Sequence, residues 1–169
     1  MEEFEPISLS DKGRVDAYLN EFGGGSCQHS FAALYAFAEK YGTRICEFED
    51  CLLVRQPAKD EGGYISCLMP LGKGDRRRAL GFLKKRAHEE GKRLKLQTIT
   101  EEAKKYLEME QSGVFEIIPQ RDYAEYLYEA KKLVTLEGSE MKNVRQFYNR
   151  FQRNFKGRTE LIPIRVKES

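Results

Sequence analysis

The sequence predicts an α/β (α+β) fold: a central mixed sheet flanked by helices, with extra helices at the C-terminal end. Three observations carry this. Apolar residues switch between a period near 3.6 and short β-like runs, in the order α-α-β-β-β-α-β-α-β. A compact hairpin pattern lies between Arg44 and Gln56, and a glycine-rich turn joins an apolar run to a long helix near Gly72. At 169 residues the chain buries roughly 70% of its unfolded surface, enough for a core without staples.

The elements follow in order. Ser10 or Asp11 caps a first helix with Val15, Tyr18, Leu19 and Phe22 on one face, and Gly23, Gly24 and Gly25 end it. Ser30 caps a second, FAALYAFAEKY, apolar nearly all round, expected to be buried and to stop at Gly42. Arg44 to Phe48 and Cys51 to Gln56 make a hairpin turning at Glu49 and Asp50. Gly62 and Gly63 introduce a strand ending at Pro70. From Asp75 to Glu90, Ala79, Leu80, Leu83 and Ala87 form one stripe, and Gly91 ends that helix.

Leu94 to Ile99 alternates like a strand, Thr100 caps a helix through Glu110, and Val114 to Pro119 reads as a further strand. Asp122 and Glu125 have capping-box spacing before a helix reaching about Leu136. The last helix, Glu140 to Phe155, is two-sided. Met141, Val144, Phe147, Tyr148, Phe151 and Phe155 share an arc expected to be core, and Lys142, Arg145, Arg150, Arg153 and Lys156 share the other. Thr159 to Val166 reads as a final strand. The expected division is residues 1–121 as the main domain and 122–169 as connecting helices and that strand.

Composition excludes several classes. Hydrophobic residues at 40%, charged residues at 33% and a net charge of +2 describe a globular chain without a field that would by itself imply nucleic acid. No run approaches the ~20 apolar residues of a membrane-spanning helix, and the acidic start MEEFEPISLSDKGR is unlike a signal peptide, so a cytoplasmic protein is expected. Cys27, Cys46, Cys51 and Cys67 form no Cys-x-x-Cys pair and read as reduced core thiols. A zinc site from Cys27, His29, Cys46 and Cys51 is the alternative, although its spacings match no standard ligand pattern. No metal site is expected.

Two candidate sites emerge. Leu71, Gly72, Lys73 and Gly74, followed by Arg76, Arg77 and Arg78, deliver a glycine turn to a helix N-terminus. There, unpaired backbone N–H groups and the helix dipole favour a phosphate or carboxylate. Arginines in a first helical turn repel that dipole, and a bound anion would reverse the sign. The alternative is a tight turn with Asp75 as N-cap and a solvated basic face. The second candidate is the basic arc of the last helix, whose Lys142, Arg145, Arg150 and Arg153 could contact phosphates of RNA or of anionic lipid head groups. Glu47, Glu49 and Asp50 are available as a general base near the hairpin, but none is nominated. His29 and His88 read as structural.

The element order, with its glycine turn between a central strand and a long helix, is similar to the GNAT acyltransferase fold. Phe4 to Leu9, SFAALYAF, MPLGKGD, the region around Asp122, Tyr126 and Tyr128, and LVTLEGSEMKNVRQFYNRFQRNF resemble the aminoacyl-transferase domain of bacterial phosphatidylglycerol lysyltransferases. The resemblance implies acyl or aminoacyl transfer to an amine or hydroxyl, with a coenzyme A ester or aminoacyl-tRNA as donor near the Gly72 to Arg78 turn, at Leu71, Gly72, Lys73, Gly74, Arg76 and Arg77. It also implies an anionic lipid head group among the partners, and a second GNAT-like half or a homo-oligomer completing the site. Two features depart from the family's pattern. Met69 stands where the cofactor loop has Arg or Gln, and the Asp75 carboxylate would repel a pyrophosphate at close range. The chain matches the first half of a tandem pair, so a non-catalytic interaction or oligomerisation module is the alternative reading. RNA binding through the last helix is a second alternative.

Overall fold

The protein is represented by a computed structural model, which describes residues 3–23, 26–60, 62–160 and 162. Two compact units divide the chain, Met1–Ala124 and Glu125–Ser169.

The first unit is built on a six-stranded mixed sheet. Its strands are β1 (Glu5–Pro6), β2 (Arg44–Phe48), β3 (Cys51–Arg55), β4 (Tyr64–Leu68), β5 (Leu71–Gly72) and β6 (Arg93–Gln97), ordered β1-β2-β3-β4-β6 with β5 beside β3. The β4 and β6 strands run parallel over five consecutive pairs, Tyr64↔Arg93 to Leu68↔Gln97, and every other pairing is antiparallel. A parallel pair needs a crossover, supplied here by α4 (Arg76–Glu89). Six more helices are described: α1 (Lys12–Phe22), α2 (Phe31–Ala36), α3 (Ala38–Tyr41), α5 (Glu101–Glu110), α6 (Ala130–Thr135) and α7 (Lys142–Phe155). A mixed sheet flanked by helices in this order is consistent with a GNAT-like fold.

Strand alternation sorts the core. Leu52, Val54 and Leu68 face Val15 and Leu19 of α1 and Phe31 and Leu34 of α2. On the opposite face Cys51, Leu53, Ile65 and Cys67 pack beneath Ala79, Leu83 and Ala87 of α4. A third group joins Met69, Leu80, Ala103 and Leu107, seating α5 beside α4. Leu80 and Leu83 are fully buried, and each contributes roughly 1.5–3 kcal/mol of transfer free energy.

Local signals hold at most ends. The hairpin turns on two residues, and both Glu49 (φ 45°) and Asp50 (φ 59°) are left-handed, as the twist-matched turn requires. Ser30 and Thr100 accept the backbone N–H groups of Ala33 and Ala103 as N-caps. At the first helix Asp11, one of the two residues expected there, holds the N-cap position without a side-chain cap bond, and the 3-10 turn Leu9–Asp11 before it is capped by Ser8. The Ser8 N–H and hydroxyl both reach Asp11.

Four expectations are corrected. The second helix breaks at Phe37 into α2 and α3, and only Phe31 and Leu34 are buried, while Tyr35 and Phe37 are exposed. A segment apolar all round carries no periodicity to mark its inner face, and the sheet takes only two residues three apart. Val114 to Pro119 forms no strand, because no ladder receives it among the described residues; Phe115 packs instead against the Met69 and Leu107 group. The helix expected from Asp122 shrinks to a 3-10 turn at Arg121–Tyr123 and to α6, with Tyr126 and Leu127 exposed between them and burying no apolar face. Finally, of the arc on the last helix expected to be core, only Met141 is buried; Val144, Phe147, Tyr148, Phe151 and Phe155 are exposed. Most of the Thr159 to Val166 strand expectation lies outside the described residues.

Among the described residues no helix is long and apolar enough to cross a membrane.

Candidate functional site

The glycine turn sits where β4 passes to β5 and then into α4. The β3 strand pairs Arg55 with Cys67 but Leu52 with Leu71. Three steps along β3 therefore oppose four along its partner, which places a one-residue bulge between Leu68 and Pro70. Pro70 has no N–H, so it suits a position outside the ladder.

Both glycines of the turn press on the backbone of the β2–β3 hairpin. A Cβ on Gly72 would lie 2.0 Å from the Asp50 carbonyl oxygen, and Gly72 has φ 150°. A Cβ on Gly74 would lie 1.8 Å from the Glu49 carbonyl oxygen and 3.0 Å from Cys51 Sγ. The Gly74 N–H donates to the Asp50 carbonyl at 3.3 Å. Glycine is needed at both positions because hairpin backbone occupies the space a side chain would fill.

The helix N-terminus is capped from within the chain. Asp75 Oδ1 accepts the N–H groups of Arg77 (2.8 Å) and Arg78 (3.2 Å). The surrounding cations have carboxylate partners as well. Lys73 Nζ lies 3.2 Å from Glu21, Arg78 Nη2 lies 2.6 Å from Glu49, and Arg76 Nη1 lies 3.7 Å from Glu102 while its guanidinium lies over the Tyr106 ring. Arg77 is exposed and Leu71 is buried in the core. Beneath the turn, burial pushes the Cys51 thiol up, while the Gly74 N–H and Arg76 act in the opposite sense. Burial also raises the Tyr106 hydroxyl, with the Asp75 charge adding to it.

The remaining candidates are dispersed. Glu47 pairs with Arg14 at 3.1 Å and Glu49 with Arg78, so two of the three hairpin carboxylates hold an arginine. His29 is buried, with Nδ1 2.8 Å from the Gly23 carbonyl and Nε2 3.1 Å from the Thr98 hydroxyl; it ties the end of α1 to the end of β6. That role was invisible in sequence, because Thr98 is 69 residues away. His88 is exposed on α4. Cys46, Cys51 and Cys67 are buried and Cys27 is exposed, and among the described residues no group of three metal-ligating side chains gathers.

In the second unit Arg145 donates to the carbonyls of Leu136 and Gly138 and so closes the C-terminal end of α6. Arg150 stacks on Phe147 at 5.1 Å. Lys142 and Arg153 are exposed on the same helix.

Comparison with known proteins places the chain as a whole. No curated protein matches. A crystal structure of a conserved protein of unknown function from Bacteroides thetaiotaomicron is similar, with 26% identity and a TM-score of 0.83 over 92% of this chain and 51% of that one. The chain therefore spans about half the length of that relative. A family model described as phosphatidylglycerol lysyltransferase, C-terminal, matches residues 20–165. That match runs through both units, from within α1 past the end of α7, and the chain belongs to this phosphatidylglycerol lysyltransferase C-terminal family.

Proposed function

We propose that the chain is an acyl- or aminoacyl-transferase domain that handles an activated donor at the Leu71 to Arg77 turn and works together with a second GNAT-like half. The family match over residues 20–165 is the observation that carries this reading. In such a transfer the amine or hydroxyl of an acceptor attacks the donor's activated carbonyl, and the bond to the donor's leaving oxygen or sulfur breaks. Backbone N–H groups hold the oxyanion that forms between those events. The bulge at Leu68 to Pro70 supports this reading, since it takes one residue out of the sheet ladder beside the turn.

Lys73, Arg76 and Arg77 supply cations for a donor phosphate, and the Asp75 carboxylate must swing off the Arg77 and Arg78 N–H groups to admit one. An aminoacyl-tRNA suits the turn better than a coenzyme A ester, because its terminal phosphates are singly charged diesters whereas coenzyme A brings a pyrophosphate against Asp75. An anionic lipid head group is the proposed acceptor class. Calorimetric titration with coenzyme A and with a non-hydrolysable aminoacyl-tRNA mimic tests the reading, with the chain alone and with a GNAT-like second half added. Heat with the tRNA mimic that disappears in Arg76→Ala supports it; silence from both ligands in both formats removes it.

A second reading, a non-catalytic interaction module, is favoured by one observation: the Val144, Phe147, Tyr148 and Phe151 stripe of α7 is exposed. Light scattering separates the two, since a module of this kind self-associates or binds a partner without taking up the donor. A third, RNA binding by α7, rests on Lys142, Arg150 and Arg153, because Arg145 is engaged at the end of α6.

A further inference from the structure

The side of the sheet that carries α1 and α2 is not covered to its edge. Pairing of β4 with β6 puts Tyr64 beside Arg93 and Ser66 beside Lys95, so these four side chains share that face. The apolar group on this side extends over β3 and onto Leu68 of β4, and it includes no residue of β6. The last strand thus carries Arg93, which is exposed, and Lys95 and Gln97, which are half-buried, along this face at the edge of the sheet.

A third cation is held against them. Ser66 Oγ donates to the Lys59 carbonyl at 2.6 Å, which seats the Lys59 backbone directly over the strand next to Lys95. Lys59 Nζ lies over the Tyr41 ring at 4.3 Å, and the Arg93 guanidinium lies over the Tyr64 ring at 4.3 Å. Burial and then the neighbouring Lys95 charge push the Lys59 ammonium below its usual range. The nearest acid on the same loop is committed elsewhere: Asp60 accepts the Ser66 N–H and pairs with Arg55 and Lys92. Among the described residues no carboxylate lies within ion-pair distance of Lys59, Arg93 or Lys95. These like charges therefore have no internal counter-ion among the described residues.

We propose that this strip, Lys59, Arg93 and Lys95 with the rings of Tyr41 and Tyr64, is a binding surface for single-stranded nucleic acid. The shape decides the class. A compact phosphate would need a pocket, whereas this is a strand face at the sheet edge with two cations, Arg93 and Lys95, two residues or about 6.6 Å apart. Such spacing tracks a chain of phosphates, and the two rings provide faces on which bases stack once the cations turn outward to the backbone. Anionic lipid would instead call for apolar side chains between the cations, and tyrosine rings beneath cations are not that. The surface lies across the sheet from α4 and does not use the glycine turn, so it stands or falls separately from the transfer reading.

The experiment is fluorescence anisotropy of a labelled single-stranded RNA 12-mer of mixed sequence with the full chain, over a range of salt. Three phosphate contacts give a log–log salt slope of about −2. The Lys59→Glu, Lys95→Glu double variant is expected to bind at least ~10-fold more weakly, and Lys95→Gln to lower the slope by about 0.7. Tyr64→Leu is expected to lose roughly 5-fold or more with the slope unchanged. A Lys142→Glu, Arg153→Glu variant of α7 should bind like the parent. Circular dichroism confirms folding, and Lys95→Gln keeps the test open if the double variant misfolds. No binding, salt-insensitive binding, or loss confined to the α7 variant overturns the proposal. So does Lys95-dependent binding to phosphatidylglycerol vesicles with none to RNA.

Discussion

Replacing Gly74 by alanine separates a glycine that packs from a glycine that leaves room for a ligand. The added Cβ would stand 1.8 Å from the Glu49 carbonyl oxygen and 3.0 Å from Cys51 Sγ. The first contact is with backbone, so the hairpin turn must move by roughly 1 Å or more to restore ordinary contact distances. Overpacking of this kind costs typically about 1–3 kcal/mol. The shift also breaks the Gly74 N–H bond to the Asp50 carbonyl, worth about 1 kcal/mol. The sum is roughly 2–4 kcal/mol. With a urea m-value of about 2 kcal/mol/M, the unfolding midpoint should fall by ~1–2 M.

Gly81 is the internal control. It lies mid-α4, and a Cβ added there would meet nothing within 4 Å. Gly81→Ala should therefore raise stability by about 0.5–1 kcal/mol through helix propensity. Urea unfolding followed by far-ultraviolet circular dichroism reads both. A Gly74→Ala midpoint within ~0.2 M of the parent, at unchanged m-value, would refute the packing argument and leave the turn an open cradle.

Further outcomes test other parts of the structure. Asp75→Ala removes the acceptor of two helix N–H groups and should cost about 1 kcal/mol in the same urea assay. Asp60→Ala strands the Ser66 N–H and one side of Arg55, and a loss of roughly 2–4 kcal/mol is expected. The hydrogen bond from Arg55 holds the Glu90 carboxyl below its usual range. A depressed folded-state pKa stabilises above the unfolded value of about 4.3 and is lost as pH falls through the folded one. Midpoints measured from about pH 6 to about pH 3 should therefore drop less steeply in Glu90→Gln. Burial pushes the Cys67 thiol up to about 12 and raises Cys51 too, and Cys46 is buried. A chromogenic disulfide should accordingly titrate one thiol, Cys27, rapidly in the native protein and the other three only in denaturant.

Legibility in the sequence followed how local each determinant was. Thr100, Ser30 and the stripe of Ala79, Leu80, Leu83 and Ala87 were readable because a cap or a helical face is specified within a few residues. The hairpin was readable for the same reason, although Glu49, unlike Asp50, is an unusual residue for a left-handed position. The strand expected at Val114 to Pro119 failed because its pattern says only that the segment alternates, and a strand exists only where another backbone receives it. The α7 stripe failed in the same way: amphipathicity specifies an apolar face but not that anything covers it. At the candidate site, Gly72, Gly74 and the arginines were visible. That Glu49 and Asp50 would fill the space over the glycines depended on a register between β3 and β5 that no local signal encodes.

That register also bears on how the turn could hold a donor. In an open anion cradle the helix N–H groups wait for a phosphate, whereas here Asp75 already accepts two of them. An incoming phosphate therefore competes with an internal carboxylate whose capping interaction is worth about 1 kcal/mol, a penalty of roughly 5-fold in affinity. Unless the carboxylate moves away it adds repulsion, and Glu49 and Glu102 draw Arg78 and Arg76 toward carboxylates as well. A donor held at this turn must thus gain most of its affinity elsewhere, and a long ligand with distant contacts meets that need better than a small one. Asp75→Ala makes the distinction measurable. If the turn receives phosphate, the variant should bind the aminoacyl-tRNA mimic more tightly while folding less stably; if the turn is packing alone, stability falls and affinity stays where it was.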